Sequence, residues 1–137
     1  MPHDPELVAE TRAWLVKASG DLGAAAHEFK AEPPFLADIV FHAQQAAEKA
    51  FKGFLAWHSM PFRKTHHLEE LGEQCLRLDP TLEPIVDKAL PLTKYAWMFR
   101  YPGEPEEPAC DEAEKALALA RAVYDAILAR LPEEVHP

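Results

Sequence analysis

The segment FLADIVFHAQQAAEKAFKGFLAWHS, residues 35–59, constrains the fold more than any other part of the chain. Its apolar residues recur every three or four positions, the period at which an α-helix brings side chains onto one face. Many of them are alanines, and small side chains allow a neighbouring helix to approach closely. We therefore predict a helix over 35–59 that packs tightly on its neighbours. Its predicted buried face comprises Leu36, Ile39, Ala43, Ala46, Ala47, Ala50 and Phe54.

The two ends of the chain show the same helical period. A first helix is predicted from Asp4-Pro5, where an N-cap aspartate precedes a proline in the first helical position. The prolines of KAEPPF, residues 30–35, end that helix because proline cannot continue it. A last helix is predicted from 109–111 to Leu131, with an apolar face along one side.

Two further helices are predicted between these segments. A short one covers 67–78, and Thr65 begins a capping signature with two glutamates in the first turn. The other runs from Thr81 to Phe99, with a kink or break at Pro91. Short connections make consecutive helices antiparallel neighbours. The sequence therefore predicts an all-α fold, an up-and-down bundle of four to five helices in one domain of residues 1–137.

Composition excludes several functions. The 23 acidic residues exceed the 14 basic ones, and a net charge of −9 disfavours an extended nucleic-acid surface, although one cleft can still bind anions. No apolar run is long enough to span a membrane, and MPHDPELVAE lacks the apolar core of a signal peptide. Cys75 and Cys110 match no zinc spacing. We expect two reduced thiols in a cytoplasmic protein, without a metal or cofactor.

The clearest candidate site lies in YAWMFRYPGEPEEPAC, residues 95–110, where Arg100 stands between aromatic residues at the predicted end of a helix. One interpretation is structural: a cation stabilises a helix C-terminus, and Arg100 pairs with Glu104 or Glu106. The other is functional: the planar guanidinium binds a phosphate through two parallel N–H···O hydrogen bonds, a bidentate contact. On the functional interpretation, the candidate nucleotide- or phosphate-binding residues are Arg100, Tyr101, Tyr95, Lys49 and Lys52.

A second candidate anion site lies in FRKTHH, residues 62–67, the most cationic short stretch of the chain. It contains Arg63, Lys64, His66 and His67. The two histidines fit either a structural contact at a helix start or a phosphate contact. Arg130 and His136 form another Arg–His combination, but we expect a frayed C-terminus there and assign it no catalytic role.

Three stretches resemble one known family. FHAQQAAEKAFKGFLAW, THHLEEL and YAWMFRYPG occur in the order and spacing of the prokaryotic HEPN domains that are often encoded beside minimal nucleotidyltransferases. Together they span 35–103. The resemblance implies a helical bundle, a homodimer with a cleft near Arg100, and a minimal nucleotidyltransferase as partner in a toxin–antitoxin-like system.

The resemblance also implies a possible activity. Many members are metal-independent ribonucleases that use an Arg followed four to six residues later by a His. This chain departs from that pattern, because after Arg100 no histidine occurs until His136. Three hypotheses therefore stay open: a nucleotide-binding module, a ribonuclease that uses His66, His67 or Tyr101 on RNA, and a structural oligomer without a ligand.

Overall fold

The computed structural model describes residues 3–103 and 107–137, which form helices and connections without a β-strand among them. No helix in these ranges is both long and apolar enough to cross a membrane. The helices and 3₁₀ segments of the described residues confirm the predicted all-α bundle. The α-helices are α1 (Pro5–Phe29), α2 (Leu36–Trp57), α3 (Leu68–Leu78), α4 (Glu83–Ala89) and α5 (Cys110–Leu128), and 3₁₀ segments cover Pro80–Leu82, Leu90–Ala96 and Glu133–Val135.

The predicted start of α1 is confirmed. The Asp4 carboxylate accepts a hydrogen bond of 3.0 Å from the backbone N–H of Glu6, and Pro5 occupies the first turn. Helix α2 ends in a Schellman motif, in which the N–H of Met60 donates to the carbonyl of Leu55 over 2.9 Å. Ser59 adopts the left-handed conformation in this motif, with φ of 54°.

Helix α2 is the centre of the bundle and packs against α1, α3, α5 and the 3₁₀ segment Leu90–Ala96. Its contacts with α1 run in opposite chain directions: His42 meets Glu28, whereas Gly53 lies against Leu15. The two helices are therefore antiparallel. Of the predicted buried face of α2, every residue except the half-buried Leu36 is buried.

The predicted break at Pro91 is confirmed, but two other predictions around the shorter helices were wrong. The predicted helix 81–99 is α-helical only over α4, and it continues as 3₁₀ structure from Leu90. Pro91 explains the change, because it has no N–H for an α-helical hydrogen bond and its ring crowds the preceding turn. Thr65 is not the N-cap of α3. Its hydroxyl accepts from the N–H of His67, and His67 is the residue that precedes the helix.

Helices α3 and α4 approach each other at Gly72. A Cβ atom placed on Gly72 would lie 2.5 Å from Cγ1 of Val86, well inside van der Waals contact. Both residues are buried, and the short, branched valine has no flexible end that can move aside. The absence of a side chain at position 72 therefore sets the distance between α3 and α4.

We expect Gly72→Ala to lower the free energy of unfolding by about 1–3 kcal/mol, because the added methyl group overpacks this contact. Urea denaturation followed by circular dichroism measures the change. Gly20→Ala is the matched control: apart from its chain neighbours and the backbone of its own helix, no heavy atom lies within 4 Å of its Cβ position, and alanine in a helix interior stabilises by roughly 0.5–1 kcal/mol. If Gly72→Ala also stabilises, or costs as much in a Val86→Ala background, the close contact is not the cause.

Candidate functional site

The turn that carries Arg100 has an unusual backbone. Phe99 adopts φ of 68°, and Gly103 adopts φ of 86°. A bulky aromatic residue rarely occupies the left-handed region, since its side chain crowds the backbone there. Glycine adopts that conformation without strain. These two positions turn the chain sharply out of the 3₁₀ segment and present Arg100 and Tyr101 at the surface.

The Arg100 side chain is held against α2 by an aromatic ring. Its Cζ atom lies 3.7 Å from the centroid of the Phe41 ring, a distance at which a cation is attracted to the ring face. Arg100 nevertheless remains exposed. Within 3–103 and 107–137 no carboxylate forms an ion pair with it, while the predicted partners Glu104 and Glu106 lie outside the described residues. Ring stacking leaves the guanidinium edge, which carries the N–H donors, available to an oxyanion.

Exposed aromatic residues accompany Arg100. Trp97 is 45% exposed and Tyr101 is 64% exposed. The Trp97 ring lies 5.9 Å from the ring of His67, which joins the Arg100 turn to the start of α3. Aromatic faces of this kind stack on nucleotide bases, and each such contact is worth about 1–3 kcal/mol.

His66 and His67 lie on the same side of the molecule as Arg100. Phe41 is one helical turn from Gln44 on α2, and the Gln44 amide donates to the carbonyl of His66 over 3.2 Å. The ring contact between Trp97 and His67 joins the Arg100 turn to the 66–67 segment directly, and α2 joins them indirectly. We call the exposed area formed by Phe41, His66, His67, Trp97, Arg100 and Tyr101 the arginine surface.

Tyr95 does not contribute to this surface. It is buried, and its hydroxyl donates a hydrogen bond to the carboxylate of Glu112 on α5. Burial, followed by that hydrogen bond, raises the pKa of Tyr95 above its usual value. The side chain therefore connects the 3₁₀ segment to α5, and the predicted role of Tyr95 as a ligand contact has no support from its position.

Lys49 contacts a polar cluster between α1 and α2. Its Nζ lies 2.7 Å from the carboxylate of Asp21 on α1, and Nδ1 of His42 lies 2.9 Å from the same carboxylate. The second ring nitrogen of His42 lies 3.3 Å from Glu28. Burial, and next the hydrogen bond that a protonated Glu28 carboxyl donates to the carboxylate of Asp38, raise the pKa of Glu28. Lys49 is thus paired within the α1–α2 contact and is not free to bind an anion.

Lys52, another predicted phosphate-binding residue, is buried and paired inside the protein. It is 7% exposed, and its Nζ lies 3.0 Å from the carboxylate of Glu48, which is 3% exposed. The ammonium group also lies 5.4 Å from the ring centroid of Trp14 and 5.8 Å from that of Phe62. The ion pair and these rings replace the water that the buried charge has lost.

Glu48 and Gln44 are the functional candidates that the sequence interpretation missed. One oxygen of Glu48 lies 2.7 Å from Nδ1 of His66 and 3.2 Å from the amide nitrogen of Gln44. The other oxygen binds Lys52. The spacing of Gln44, Glu48 and Lys52 by four residues, within an alanine-rich face, is the signal that would have placed them on one buried stripe.

The cationic patch predicted around FRKTHH is neutralised in part. Arg63 binds Glu70 through Nη2 at 2.8 Å and through Nε at 2.9 Å, so its charge is paired. The adjacent hollow of about 490 Å³ also contains Glu73, Gln74 and Arg77. Acidic and basic groups therefore alternate along this hollow, and it offers no concentrated positive field to an anion.

The sequence predicted a frayed C-terminus, and this was wrong, because Arg130 and His136 both make structural contacts there. The Arg130 guanidinium binds Asp79 and the carbonyl of Ala126. The Nε2 atom of His136 lies 2.9 Å from the carbonyl of Leu128, and Val135 is buried. Both side chains fix the end of the chain to α5 and to the start of the 3₁₀ turn Pro80–Leu82.

The two cysteines lie apart from the arginine surface in burial and chemistry: one is buried and the other exposed. Burial raises the pKa of Cys75 to about 12, so this thiol is unreactive, and Cys110 is exposed. Among the residues that the structure describes, no group of three His, Cys, Asp or Glu side chains could hold a metal ion.

A comparison with protein-family models matches residues 11–131 to the HEPN domain. The chain belongs to the HEPN family. The match includes all three motifs that resemble this family and reaches into both flanking helices, so the predicted membership of the HEPN family is confirmed. Searches of curated proteins and of solved structures gave no significant match.

In this HEPN domain we expect Glu48→Ala to lower the free energy of unfolding by about 3–5 kcal/mol, because it leaves the buried charge of Lys52 without a partner. Urea denaturation measures the loss. The exposed Glu69→Ala is the control and should change stability by less than about 0.5 kcal/mol. In a Lys52→Met background the Glu48→Ala cost should fall by ~1–2 kcal/mol. An equal cost in both backgrounds would show that the ion pair is not the cause.

Proposed function

We propose that this HEPN domain is a nucleotide- or phosphate-binding module, that it acts as a homodimer, and that its partner in the cytoplasm is a minimal nucleotidyltransferase of a toxin–antitoxin-like system. The ligand site is the arginine surface. The observation that carries the proposal is the placement of Arg100, whose guanidinium is stacked on Phe41 while the residue itself stays exposed. A stacked arginine is already ordered, so less conformational entropy is lost when it binds an oxyanion.

The chemistry of the neighbouring side chains supports a nucleotide rather than a bare anion. Trp97 and Tyr101 offer exposed aromatic faces beside a cation. A base can stack on one such face while its phosphate binds the arginine, which satisfies both ends of a nucleotide. The overall charge of −9 makes a long nucleic-acid strand a poor ligand, whereas a single nucleotide needs only this local cation.

The proposed homodimer and nucleotidyltransferase partner are supported by sequence motifs and by exposed aromatic residues. The motifs QQAAEK, THHLEEL and RYPG resemble those of nucleotidyltransferase-associated members of the family. The exposed aromatic residues Phe35, Trp97 and Tyr101 supply apolar area of the kind that protein interfaces cover.

A second candidate function is cleavage of RNA without a metal ion. It is favoured by one observation, namely that His66 and His67 lie on the same surface as Arg100, although neither follows it in the chain. An imidazole there can exchange a proton with a ribose hydroxyl while the arginine binds the phosphate.

We expect Arg100→Ala to weaken nucleotide binding by about tenfold or more, since a charge-assisted contact to phosphate is lost. Calorimetric titration with ATP and AMP measures the affinity of the wild type and the variant. Arg121→Ala is the matched control, because it removes an exposed arginine from α5. Phe41→Leu should weaken binding several-fold, since the guanidinium loses its ring support, worth roughly 0.5–1 kcal/mol.

Equal affinities of wild type and Arg100→Ala, or no binding by the wild type at millimolar nucleotide, would overturn the binding proposal.

To test the ribonuclease function, the wild type and Arg100→Ala are incubated with RNA and a chelator. Cleavage by the wild type that disappears in Arg100→Ala would favour the ribonuclease function instead.

The quaternary proposal has its own measurement. Sedimentation equilibrium should give a mass twice the 15.4 kDa of the chain, and co-expression with a minimal nucleotidyltransferase encoded beside the gene should give a complex that survives gel filtration. An unrelated nucleotidyltransferase of similar size is the control. A protein that stays at 15.4 kDa at high concentration contradicts the homodimer, and separate elution of the two proteins contradicts the partner.

A further inference from the structure

His66 has an unusual combination of anchoring and exposure. Its side chain is 63% exposed, yet Nδ1 lies 2.7 Å from the carboxylate of Glu48, whose own side chain is 4% exposed. The backbone carbonyl of His66 is bound by Gln44, so main chain and ring are both tied to α2. The imidazole is therefore held in one orientation at the surface by groups that are themselves buried.

The contact with Glu48 decides which ring nitrogen can react. A carboxylate that is paired with the ammonium group of Lys52 accepts hydrogen bonds, so Nδ1 of His66 is the donor in this contact. In the neutral ring the lone pair then belongs to Nε2. No group within 3–103 or 107–137 binds Nε2 of His66. The exposed nitrogen is thus the nucleophilic one.

A purely structural role of His66 explains less of this geometry than a nucleophilic role does. The bond from Gln44 to the His66 carbonyl already fixes the connection between α2 and α3. The contact between the His66 ring and Glu48 also fixes the tautomer of the ring. It places the negative charge of the carboxylate at Nδ1, on the side of the ring away from the nucleophilic Nε2. A buried carboxylate of this kind stabilises the positive charge that develops on an imidazole when its other nitrogen attacks an electrophile.

The surroundings of His66 indicate an anionic electrophile. Lys64 is an exposed cation two residues earlier, and the first turn of α3 begins two residues later, with its free N–H groups. Arg100 lies on the same surface. Glu69 and Glu70 oppose an anion from α3, but Glu70 is paired with Arg63. A tetrahedral phosphoryl group suits these positive groups better than an acyl group does, because it carries negative charge throughout the transfer.

We propose that His66 is a phosphoryl-acceptor site, in which Nε2 takes a phosphoryl group from a donor of the phosphoramidate class. Nε2 attacks the phosphorus, an N–P bond forms, and the P–N bond of the donor breaks. The donor nitrogen reacts in its protonated –NH3+ form, so it keeps the bonding pair and departs as neutral ammonia without taking a further proton. The ring becomes positively charged, and Glu48 stabilises that charge through the Nδ1–H bond. The proposal does not depend on nucleotide binding by Arg100.

The experiment treats the full chain with potassium phosphoramidate and follows each histidine by peptide mass spectrometry under alkaline conditions. His66 should be modified at least about tenfold faster than His67, because a stabilisation of ~1.4 kcal/mol changes a rate tenfold. His67 is the matched internal control, since it is the adjacent exposed imidazole and none of the contacts among described residues joins it to a carboxylate. Phosphorus NMR should show the isomer that carries phosphate on Nε2.

Glu48→Gln tests the role of the carboxylate. Glutamine retains an oxygen that can accept from Nδ1 but removes the charge, so the rate at His66 should fall to that of His67. Circular dichroism and thermal unfolding establish that this variant is folded. The ratio of the two rates in the wild type tests the proposal even if the variant is unstable. The proposal is overturned if His66 reacts no faster than His67, if phosphate appears on Nδ1, or if a folded Glu48→Gln reacts like the wild type.

Discussion

The enclosure of α2 by its neighbours is the constraint on which the rest of the structure depends. From Ile39 to Ala56 the helix is buried on most of its faces, including the positions of Gln44, Glu48 and Lys52. A buried charge without a partner costs several kcal/mol, so each of these groups must be paired. The pairs connect α2 to distant parts of the chain: Glu48 binds the ring of His66, and Gln44 binds its backbone.

The same enclosure separates groups that stabilise the fold from groups that remain available to a ligand. Lys49 and Lys52 are neutralised by Asp21 and Glu48 inside helix contacts. Arg100 is held by the ring of Phe41, and an aromatic ring attracts a cation without consuming its N–H donors. This difference explains how a chain with a net charge of −9 can present a local cation beside exposed aromatic residues.

Much of the fold was predictable because helix formation leaves local signals. The cap at Asp4, the period of α2 and the break at Pro91 all act within a few residues, so the sequence shows them directly. The HEPN motifs likewise lie within short stretches. The site was predictable only in part. Arg100 was found from its neighbours in the chain, whereas Phe41, its stacking partner, lies far away in sequence.

The errors share one physical origin. Lys52 was named as a phosphate-binding residue since a lysine on an amphipathic helix is most often exposed, but Trp14 and Phe62 cover it from other elements. Glu48 was overlooked because nothing near it in the chain shows that it meets His66. The expected frayed C-terminus is tied down by Arg130 and His136, whose partners lie partly on other segments.

The sequence by itself determined the helical class, the position of each long helix, the family and the presence of an arginine at a sharp turn. These depend on local backbone preferences and on a periodic apolar pattern. Only the tertiary structure decided which charges are buried and paired, that Arg100 rests on Phe41, and that Glu48 orients His66. Desolvation and pairing are set by atoms brought together from remote parts of the chain, and their strength depends on distances that no single segment encodes.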